Sequence, residues 1–375
     1  MNVIFTCGGT GGHINPAIAV ADLLRQRRPE TNILFVGAED GMENKLVPAA
    51  GYDLETLKIS NFQRKLTPAG IWHNLVTAGH IAGSLRKASK LIDRFAPDVI
   101  IGTGGYASFP TLKMGTRKGI PTAVHESNAV PGLATRLVAD NVDRIMVSFP
   151  ESANRYRHPE RVVATGTPVR SEFIYTKRAD ARAALGLDER PLVVSYWGSL
   201  GAREMNKIIA KFMALESQTD AFHHIHATGS FGWRWMPDFV REQGVDLEKH
   251  PNIRMQEYIN NMPTVMAAAD LVICRAGAST ISEIEAAAVP CIMVPSPNVT
   301  DNHQAHNAET LAKRGSALVL PESECSGERL YETVRELLAQ PERLTDMRKA
   351  LQQSAVLDSA ERIYQQVLEL AKQRT

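Results

Sequence analysis

The chain has 375 residues, of which 44% are hydrophobic and 22% charged, and this composition excludes a wholly disordered or collagen-like protein. At roughly 100–200 residues per domain, the length predicts two domains. The formal net charge of +1 excludes a whole-molecule field that would gather nucleic acid, so we expect no nucleic-acid partner, and any charged patch must be local.

The first part of the chain alternates short apolar runs with helical patterns. Residues 3–7 are predicted to form a buried strand, and residues 14–28 a helix with Pro16 in its first turn. Further strands are predicted at 33–36, 99–101, 122–125 and 144–147. Strands that alternate with helices favour right-handed βαβ units and a parallel sheet.

A second series of strands begins near residue 191. It comprises the predicted strands 192–197, 222–227, 253–255, 271–274, 291–294 and 317–319, with helices such as 279–288 and 302–314 between them. We therefore predict a first domain over 1–165, a second over 166–357, and a final segment, 358–375, whose helix packs back on the first. Two doubly wound domains of this kind, facing a cleft, would bind ligands at the carboxyl ends of their strands.

Four glycine-rich loops follow predicted strands: 8–13 (GGTGGH), 102–106 (GTGGY), 198–202 (GSLGA) and 275–280 (RAGAST). Each can form a tight turn only, or it can bring backbone N–H groups and a helix N-terminus to a phosphate. The GxGxxG, Walker and Asp-x-Asp patterns are absent. We therefore expect amides and side chains, with no metal or cofactor, to neutralise a bound diphosphate.

Polar side chains stand beside these loops. His13 opens a helix, where a neutral imidazole could act as a base or simply cap or pack. Residues 125–128 (HESN) end a strand and could serve the cleft or contain a buried ion pair. Glu283 could accept two ribose hydroxyls, or be a solvated helical residue. Residues 301–304 (DNHQ) and Asn307 suit sugar hydroxyls, with helix capping as the alternative.

Two other groups of residues are less specific. The four cysteines Cys7, Cys274, Cys291 and Cys325 form no CxxC pair, so we expect buried thiols in a cytosolic protein. The run 223–226 (HHIH) looks like a metal cluster, but His224 and His226 would share one strand face and His223 the other. Metal binding there is therefore not favoured.

The N-terminus has no secretory pattern, and no window of about 18 apolar residues predicts a membrane span. A local surface is nevertheless basic and apolar. The basic patch consists of Lys58, Arg64, Lys65, Arg86, Lys87, Lys90, Arg94, Lys113, Arg117 and Lys118, with Ile71, Trp72, Leu75, Val76, Ala78, Ile81 and Ala82 among them. It could lie on an anionic membrane surface, or it could belong to a buried helix whose basic side chains are exposed to solvent.

The motifs GGTGGHINP (8–16), GTGGY (102–106), HESN (125–128), GTPVR (166–170), GSLGA (198–202), RAGASTISE (275–283) and DNHQAHNA (301–308) together carry a resemblance. The chain resembles, nearly end to end, the MurG family of N-acetylglucosaminyltransferases, which have the two-domain GT-B fold. The resemblance implies inverting, metal-independent transfer of GlcNAc from UDP-GlcNAc to the MurNAc C4 hydroxyl of lipid I (undecaprenyl-diphospho-MurNAc-pentapeptide), giving lipid II with a β-1,4 link. It also implies a peripheral protein of the cytoplasmic membrane face that serves peptidoglycan synthesis, with cell-wall and division proteins as partners.

The resemblance also implies site residues. Thr10, Gly11 and Gly12 would lie near the donor sugar and the acceptor diphosphate, Ser199 would contact the donor phosphate, and Gln304 would contact GlcNAc. Backbone groups near Ile259 would read uracil. The remaining expected contacts are Asn128, Arg170, Ala278, Ser279, Thr280, Ile281, Ser282 and Glu283, the last on the ribose. We take His13 as the catalytic base and Glu126 as its reserve.

Two departures from the family pattern stand out. Trp197 occupies a position that is more often glycine, where a large ring could alter the loop or merely pack, and residues 295–301 (PSPNVTD) are less typical. Three alternatives stay open at this point: another GT-B glycolipid transferase, an isomerase of UDP-GlcNAc on the same fold, or a non-catalytic sugar-nucleotide binder. His13, Glu126 and Glu283 argue against the last.

Overall fold

The computed structural model describes residues 1–59 and 67–374, with the backbone alone at 68–76 and 78. The chain divides into two compact units. Unit 1 is Met1–Val169 together with Val356–Thr375, and unit 2 is Arg170–Ala355.

Within its described residues, unit 1 contains a seven-stranded sheet with the order β3-β2-β1-β4-β5-β6-β7, and every pairing is parallel. The strands are β1 Asn2–Thr6, β2 Asn32–Ala38, β3 Asp53–Leu57, β4 Val99–Gly102, β5 Thr122–Glu126, β6 Arg144–Val147 and β7 Val162–Ala164. The helices between them are α1 Gly11–Arg27, α2 Glu43–Ala49, α3 Pro68–Phe95, α4 Ser108–Arg117 and α5 Leu133–Ala139. The central strands are buried on both faces, as their continuous apolar sequences require.

Unit 2 repeats this plan with a parallel sheet whose described strands have the order β10-β9-β8-β11-β12-β13. The strands are β8 Leu192–Tyr196, β9 His223–Ala227, β10 Ile253–Gln256, β11 Leu271–Cys274, β12 Cys291–Met293 and β13 Ala317–Val319. The helices are α6 Glu172–Tyr175, α7 Arg178–Leu185, α8 Arg203–Glu216, α9 Met236–Glu242, α10 Met262–Ala268, α11 Ala278–Ala287, α12 His303–Lys313, α13 Gly327–Leu338 and α14 Pro341–Ser354. The predicted pair of Rossmann-like domains is confirmed.

The last helix, α15 Ser359–Lys372, belongs to unit 1. Its buried side chains share one core cluster with α1, formed by Ile363, Tyr364, Val367 and Leu370 of α15 and Ile14, Ala17, Val20 and Leu24 of α1. An ion pair of 2.6 Å between Arg27 and Glu361 lies beside this seam. Burying each such apolar side chain contributes about 1.5–3 kcal/mol, so α15 is an integral part of the unit 1 core.

The structure corrects one helix boundary that bears on the site. Helix α1 begins at Gly11, three residues before the predicted start, so Pro16 lies in its second turn rather than its first. A proline there has no N–H to offer the carbonyl one turn back, and the helix tolerates the missing bond. All four cysteines are buried and unpaired. Among the described residues, no helix has both the length and the apolar character that crossing a membrane requires.

Candidate active site

The first glycine loop leads from β1 into the N-terminus of α1. Gly9 has φ +89°, a conformation that glycine adopts without strain, and Thr10 occupies the N-cap position without a side-chain cap. Gly11 and Gly12 are the first residues of a 17-residue helix. Their N–H groups have no acceptor within the helix, so this end can bind a negatively charged oxygen.

His13 is the third residue of α1, and its ring is held by the loop after β4. Its Nδ1 lies 3.1 Å from the backbone oxygen of Thr103, which can only accept, so Nδ1 carries the proton of the neutral ring. The Thr103 hydroxyl donates in return to the backbone oxygen of His13 at 2.6 Å. A neutral ring that donates from Nδ1 has its lone pair on Nε2, the tautomer that a general base needs.

The glycines of the second loop allow this close approach. Gly104 (φ +106°) and Gly105 (φ +78°) both have left-handed backbones. A Cβ on Gly104 would overlap the His13 ring, and one on Gly105 would overlap the carbonyl of Gly8. The two loops thus form one packed layer at the carboxyl ends of β1 and β4, and their glycines do more than make tight turns.

Glu126 ends β5 and organises the loop that follows it. Its Oε1 accepts from the backbone and side-chain amides of Asn128, both at 3.0 Å. Its Oε2 accepts from the Gly132 amide at 2.9 Å and the Thr135 hydroxyl at 2.7 Å. Because four donors of its own loop already occupy this buried carboxylate, it is less suited than His13 to take a proton from a substrate.

His125, next to Glu126, is buried and fixes the start of the 166–170 motif. Its Nε2 lies 2.8 Å from the backbone oxygen of Gly166, to which it donates. Burial lowers the pKa of His125 below its ordinary value, so the ring is neutral at physiological pH. In this role His125 supports the site rather than acting as an acid or base.

In unit 2, the third glycine loop is tied to the loop after β9. Ser199 is exposed, and its backbone oxygen accepts from the Ser230 amide at 3.1 Å. Gly201 (φ +80°) lies against the backbone of Thr228, where a Cβ would overlap the carbonyl oxygen. The loop therefore has a defined shape, with the Ser199 hydroxyl at its surface.

Trp197, the residue that departs from the family pattern, packs into the core of unit 2. It is 4% exposed, and the guanidinium of Arg275 lies 5.8 Å from the centre of its ring. Arg275 also forms a 2.5 Å ion pair with Glu322 and donates to the Val294 carbonyl at 3.0 Å. The ring thus lies in the core of unit 2 beside Arg275, the first residue of the fourth glycine loop.

The fourth loop leads into α11, which begins at Ala278 after Gly277 at its N-cap. The side-chain amide of Asn307, on α12, donates to the Ala276 carbonyl at 3.1 Å and so ties the fourth loop to α12. Ala278, Ser279, Thr280 and Ser282 are half-buried, whereas Ile281 is 1% exposed, and its side chain packs inward. Only the backbone of Ile281 is therefore available to a ligand.

Glu283 is the sixth residue of α11 and lies in its second turn. Burial raises its pKa to about 7, against the opposing effect of the Arg170 charge. Arg170 is itself exposed, and its guanidinium lies 5.2 Å from the ring centre of Phe173. The Arg170 charge therefore acts on Glu283 within unit 2.

The segment before α12 is strained. Asp301 and Asn302 have φ +53° and +50°, a rare conformation for residues other than glycine. Asn302 is at the N-cap of α12 but makes no side-chain cap bond, so the capping alternative is wrong for it. Gln304 Oε1 accepts from the Ser296 amide at 2.9 Å, which leaves the Nε2 donors to meet a sugar.

Ile259 lies in the turn between β10 and α10. Its side chain is 1% exposed, whereas neighbouring Tyr258 is 54% exposed. A ligand at this turn could therefore meet the backbone of Ile259, as expected for uracil, but not its side chain.

The histidine run forms a buried network in β9. His224 Nε2 and His226 Nδ1 each lie 2.7 Å from Ser195 Oγ, and His224 Nδ1 lies 2.8 Å from Glu216 Oε2. His223 points the other way, with its Nε2 2.8 Å from Asp188 Oδ1. Across residues 1–59 and 67–374, no group of three or more His, Cys, Asp or Glu side chains could hold a metal ion.

Part of the basic patch lies outside the described residues: Arg64, Lys65 and the side chains of Ile71, Trp72, Leu75, Val76 and Ala78. Within the described part of α3, Arg86, Lys87 and Lys90 are exposed. Two other cations are in ion pairs, Lys118 with Asp93 at 2.6 Å and Arg94 with Glu55 at 2.5 Å.

Comparison with known proteins identifies the class. The glycosyltransferase family 28 N-terminal domain matches residues 3–147, and the family 28 C-terminal domain matches residues 193–363. Two curated relatives share the name UDP-N-acetylglucosamine–N-acetylmuramyl-(pentapeptide) pyrophosphoryl-undecaprenol N-acetylglucosamine transferase. That of Acetivibrio thermocellus is 39% identical over 100% of this chain and 99% of its own. That of Ruminiclostridium cellulolyticum is 40% identical over 99% of this chain and 100% of its own.

Solved structures agree. MurG of Acinetobacter baumannii aligns with a TM-score of 0.77 and 25% identity over 98% of this chain and 99% of its own. UDP-GlcNAc 2-epimerase from Neisseria meningitidis aligns with a TM-score of 0.65 and 13% identity over 98% of this chain and 100% of its own. This likeness shows a shared fold alone. Two Rossmann-like domains with glycine loops at the strand ends make up the GT-B fold, and the family 28 and MurG matches show that the chain is a GT-B glycosyltransferase. The chain belongs to glycosyltransferase family 28, and the predicted N-acetylglucosaminyltransferase activity of peptidoglycan synthesis is confirmed.

Proposed function

We propose that this chain transfers GlcNAc from UDP-GlcNAc to the C4 hydroxyl of MurNAc in undecaprenyl-diphospho-MurNAc-pentapeptide, with inversion and a new β-1,4 link. The observation that carries the mechanism is the hydrogen bond from His13 Nδ1 to the Thr103 backbone oxygen, which puts the lone pair of the ring on Nε2. Full-length identity of 39–40% to transferases named for this reaction supports the choice of substrates.

Unit 2 binds the donor in this proposal. The α11 amides and the Ser199 hydroxyl contact the diphosphate, and Glu283 accepts two ribose hydroxyls. The backbone near Ile259 reads uracil, and Gln304 Nε2 donates to GlcNAc. The remaining contacts are assigned to Arg170, Ala278, Ser279, Thr280, Ile281 through its backbone, and Ser282.

Unit 1 supplies the acceptor side and the base. As the MurNAc O4 forms a bond to the anomeric carbon, its proton passes to His13 Nε2 and the carbon–oxygen bond to UDP breaks. Thr10, Gly11 and Gly12 present the α1 amides to the substrate oxygens, and Asn128 adds a polar contact. Glu126 holds the Asn128 loop in place and is the second candidate for the base.

Departing UDP carries the electron pair of the broken bond, so its charge grows in the transition state. Amides at 199–202 and 278–282, together with Arg170, oppose that charge without a cation. Losing one such donor typically costs about 3 kcal/mol of barrier, or about 10²-fold in rate.

Transfer of labelled GlcNAc onto a lipid I analogue tests the proposal. We expect His13→Ala to lower kcat at least 100-fold while the affinity for UDP-GlcNAc is retained, and a chelator to change nothing. Gln26→Ala, at an exposed position on the same helix, is the matched control. Near-normal turnover of His13→Ala would remove His13 from the mechanism, and donor consumption without any acceptor would favour the isomerase instead.

The same proposal places the protein peripherally on the cytoplasmic face of the membrane, where its lipid acceptor lies. The exposed cations Arg86, Lys87 and Lys90 on α3 support an anionic contact surface. Changing Lys87 and Lys90 to Glu is expected to reduce sedimentation with anionic vesicles. Unchanged sedimentation would reject this part of the patch as the contact.

A further inference from the structure

Glu43, the first residue of α2, is a fully buried carboxylate beside the first glycine loop. Its Oε2 accepts from the Gly9 amide at 3.2 Å, and its Oε1 accepts from the Ala38 amide at 2.7 Å. The carboxylate thereby links the loop after β1 to the end of β2.

Three glycines make room for this side chain. A Cβ on Gly8, Gly37 or Gly41 would overlap Glu43 atoms, so the backbone closes around the carboxylate from three segments. Both of its polar partners are N–H donors, and a carboxylate alone offers an acceptor oxygen to each. A glutamine would turn its NH₂ group toward one of them.

The Gly9 amide that Glu43 holds lies directly before Thr10, the N-cap of α1. Fixing Gly9 in its left-handed conformation therefore fixes where α1 begins, and with it the position of His13, the third residue of that helix. We propose that Glu43 is a positioning residue that sets the first glycine loop, and through it His13, for transfer. This inference rests on the proposed role of that loop.

The test compares Glu43→Gln with the wild-type full-length chain in the lipid I transfer assay. We expect kcat to fall about 10- to 100-fold, the cost of a small misplacement of a catalytic group. We expect KM for UDP-GlcNAc to stay within about twofold, because the proposed contacts to the uridine and the donor diphosphate lie in unit 2.

Val47→Ala is the matched control, since Val47 is also buried on α2 but its apolar side chain cannot accept a hydrogen bond from the Gly9 amide. If Glu43→Gln and Val47→Ala lose the same kcat and show the same change in thermal midpoint, Glu43 has only a structural role. That result would overturn the proposal. So would a kcat of Glu43→Gln within twofold of wild type. If Glu43→Gln does not fold, Glu43→Asp is used with amide hydrogen exchange across residues 8–13. The proposal then requires faster exchange at Gly9, and unchanged exchange overturns it.

His13→Ala, measured in parallel, separates the two claims. If it leaves kcat unchanged, the catalytic role of His13 fails. If it lowers kcat but Glu43→Gln does not, only the positioning role of Glu43 fails.

Discussion

His13 and Thr103 are joined by two hydrogen bonds that run in opposite directions. The His13 ring donates to the Thr103 backbone oxygen, and the Thr103 hydroxyl donates to the His13 backbone oxygen. One bond fixes the tautomer and the other fixes the backbone that carries the ring. In the proposed mechanism Thr103 is therefore a positioning residue for His13.

Thr103→Val tests that relationship. Valine keeps the shape of threonine but removes the hydroxyl, so the His13 backbone loses its donor while the ring keeps the Thr103 carbonyl. We expect kcat to fall roughly 10-fold, with KM for UDP-GlcNAc unchanged. Thr103→Ser, which retains the hydroxyl, should stay near wild type, and equal rates for the two variants would contradict the role of this bond.

Glu283 predicts a pH dependence of donor binding. With a pKa raised to about 7, the unliganded carboxyl binds a proton below pH 7, whereas in the proposed site the ribose hydroxyls donate to its ionised form. UDP-GlcNAc affinity should therefore fall about tenfold per pH unit below 7 and level off above it. Calorimetric titration between pH 5.5 and 8.5 measures this, and Glu283→Gln should flatten the profile. A wild-type profile as flat as that of the variant would be the opposite result.

The raised pKa of Glu283 also makes the stability of unit 2 depend on pH. Because the folded-state pKa of Glu283 is raised, its contribution to the stability of unliganded unit 2 is full below about pH 4.5 and is lost as pH rises through about 7.

The Trp197–Arg275–Glu322 contact predicts a stability coupling. Arg275→Met would leave the Glu322 carboxylate largely buried without its cation, and we expect a loss of about 2–3 kcal/mol in the free energy of unfolding. The double variant with Glu322→Gln should recover part of this loss. Urea denaturation of the four members of the cycle gives the coupling, and strictly additive losses would show that the pair is not coupled.

Ser195 predicts the cost of breaking a buried polar network. Ser195→Ala removes the partner of both His224 Nε2 and His226 Nδ1, and we expect a loss of about 2–3 kcal/mol. Burial lowers the pKa of His226, so the stability that depends on its neutral form is present above pH 6.5 and is lost as pH falls. Ser217→Ala, which removes a hydroxyl at a helix end, should cost less than 1 kcal/mol in the same denaturation experiment.

The positions of most strands in both units follow from patterns that a sequence displays. Buried parallel strands are continuous apolar runs, and most predicted strands agree with the structure within one or two residues. Two strands of unit 1 are not predicted from the sequence: Asp53 and Glu55 interrupt the apolar pattern of β3, and β7 has only three residues. The start of α1 was placed late, because Gly11 and Gly12 carry no helical signal and are helical only through tertiary packing.

The residues of the candidate site likewise fall into those that the sequence indicates and those that only the structure reveals. His13 and Glu283 could be singled out because each is a polar residue next to a glycine loop at a strand end. Thr103 and Glu43 could not, since Thr103 bonds a residue 90 positions away and Glu43 one 34 positions away. Their roles exist only after the sheet has brought these segments together.

The placement of α15 has a consequence for synthesis of the chain. Ribosomes release residues in order, so Arg170–Ala355 leaves the ribosome before the helix that covers α1 does. Until α15 has left the exit tunnel, it cannot cover the apolar side chains of α1, which include Ile14, Ala17 and Val20. The later-made unit can therefore complete its core first, whereas the earlier-made unit completes its core only after α15 has emerged.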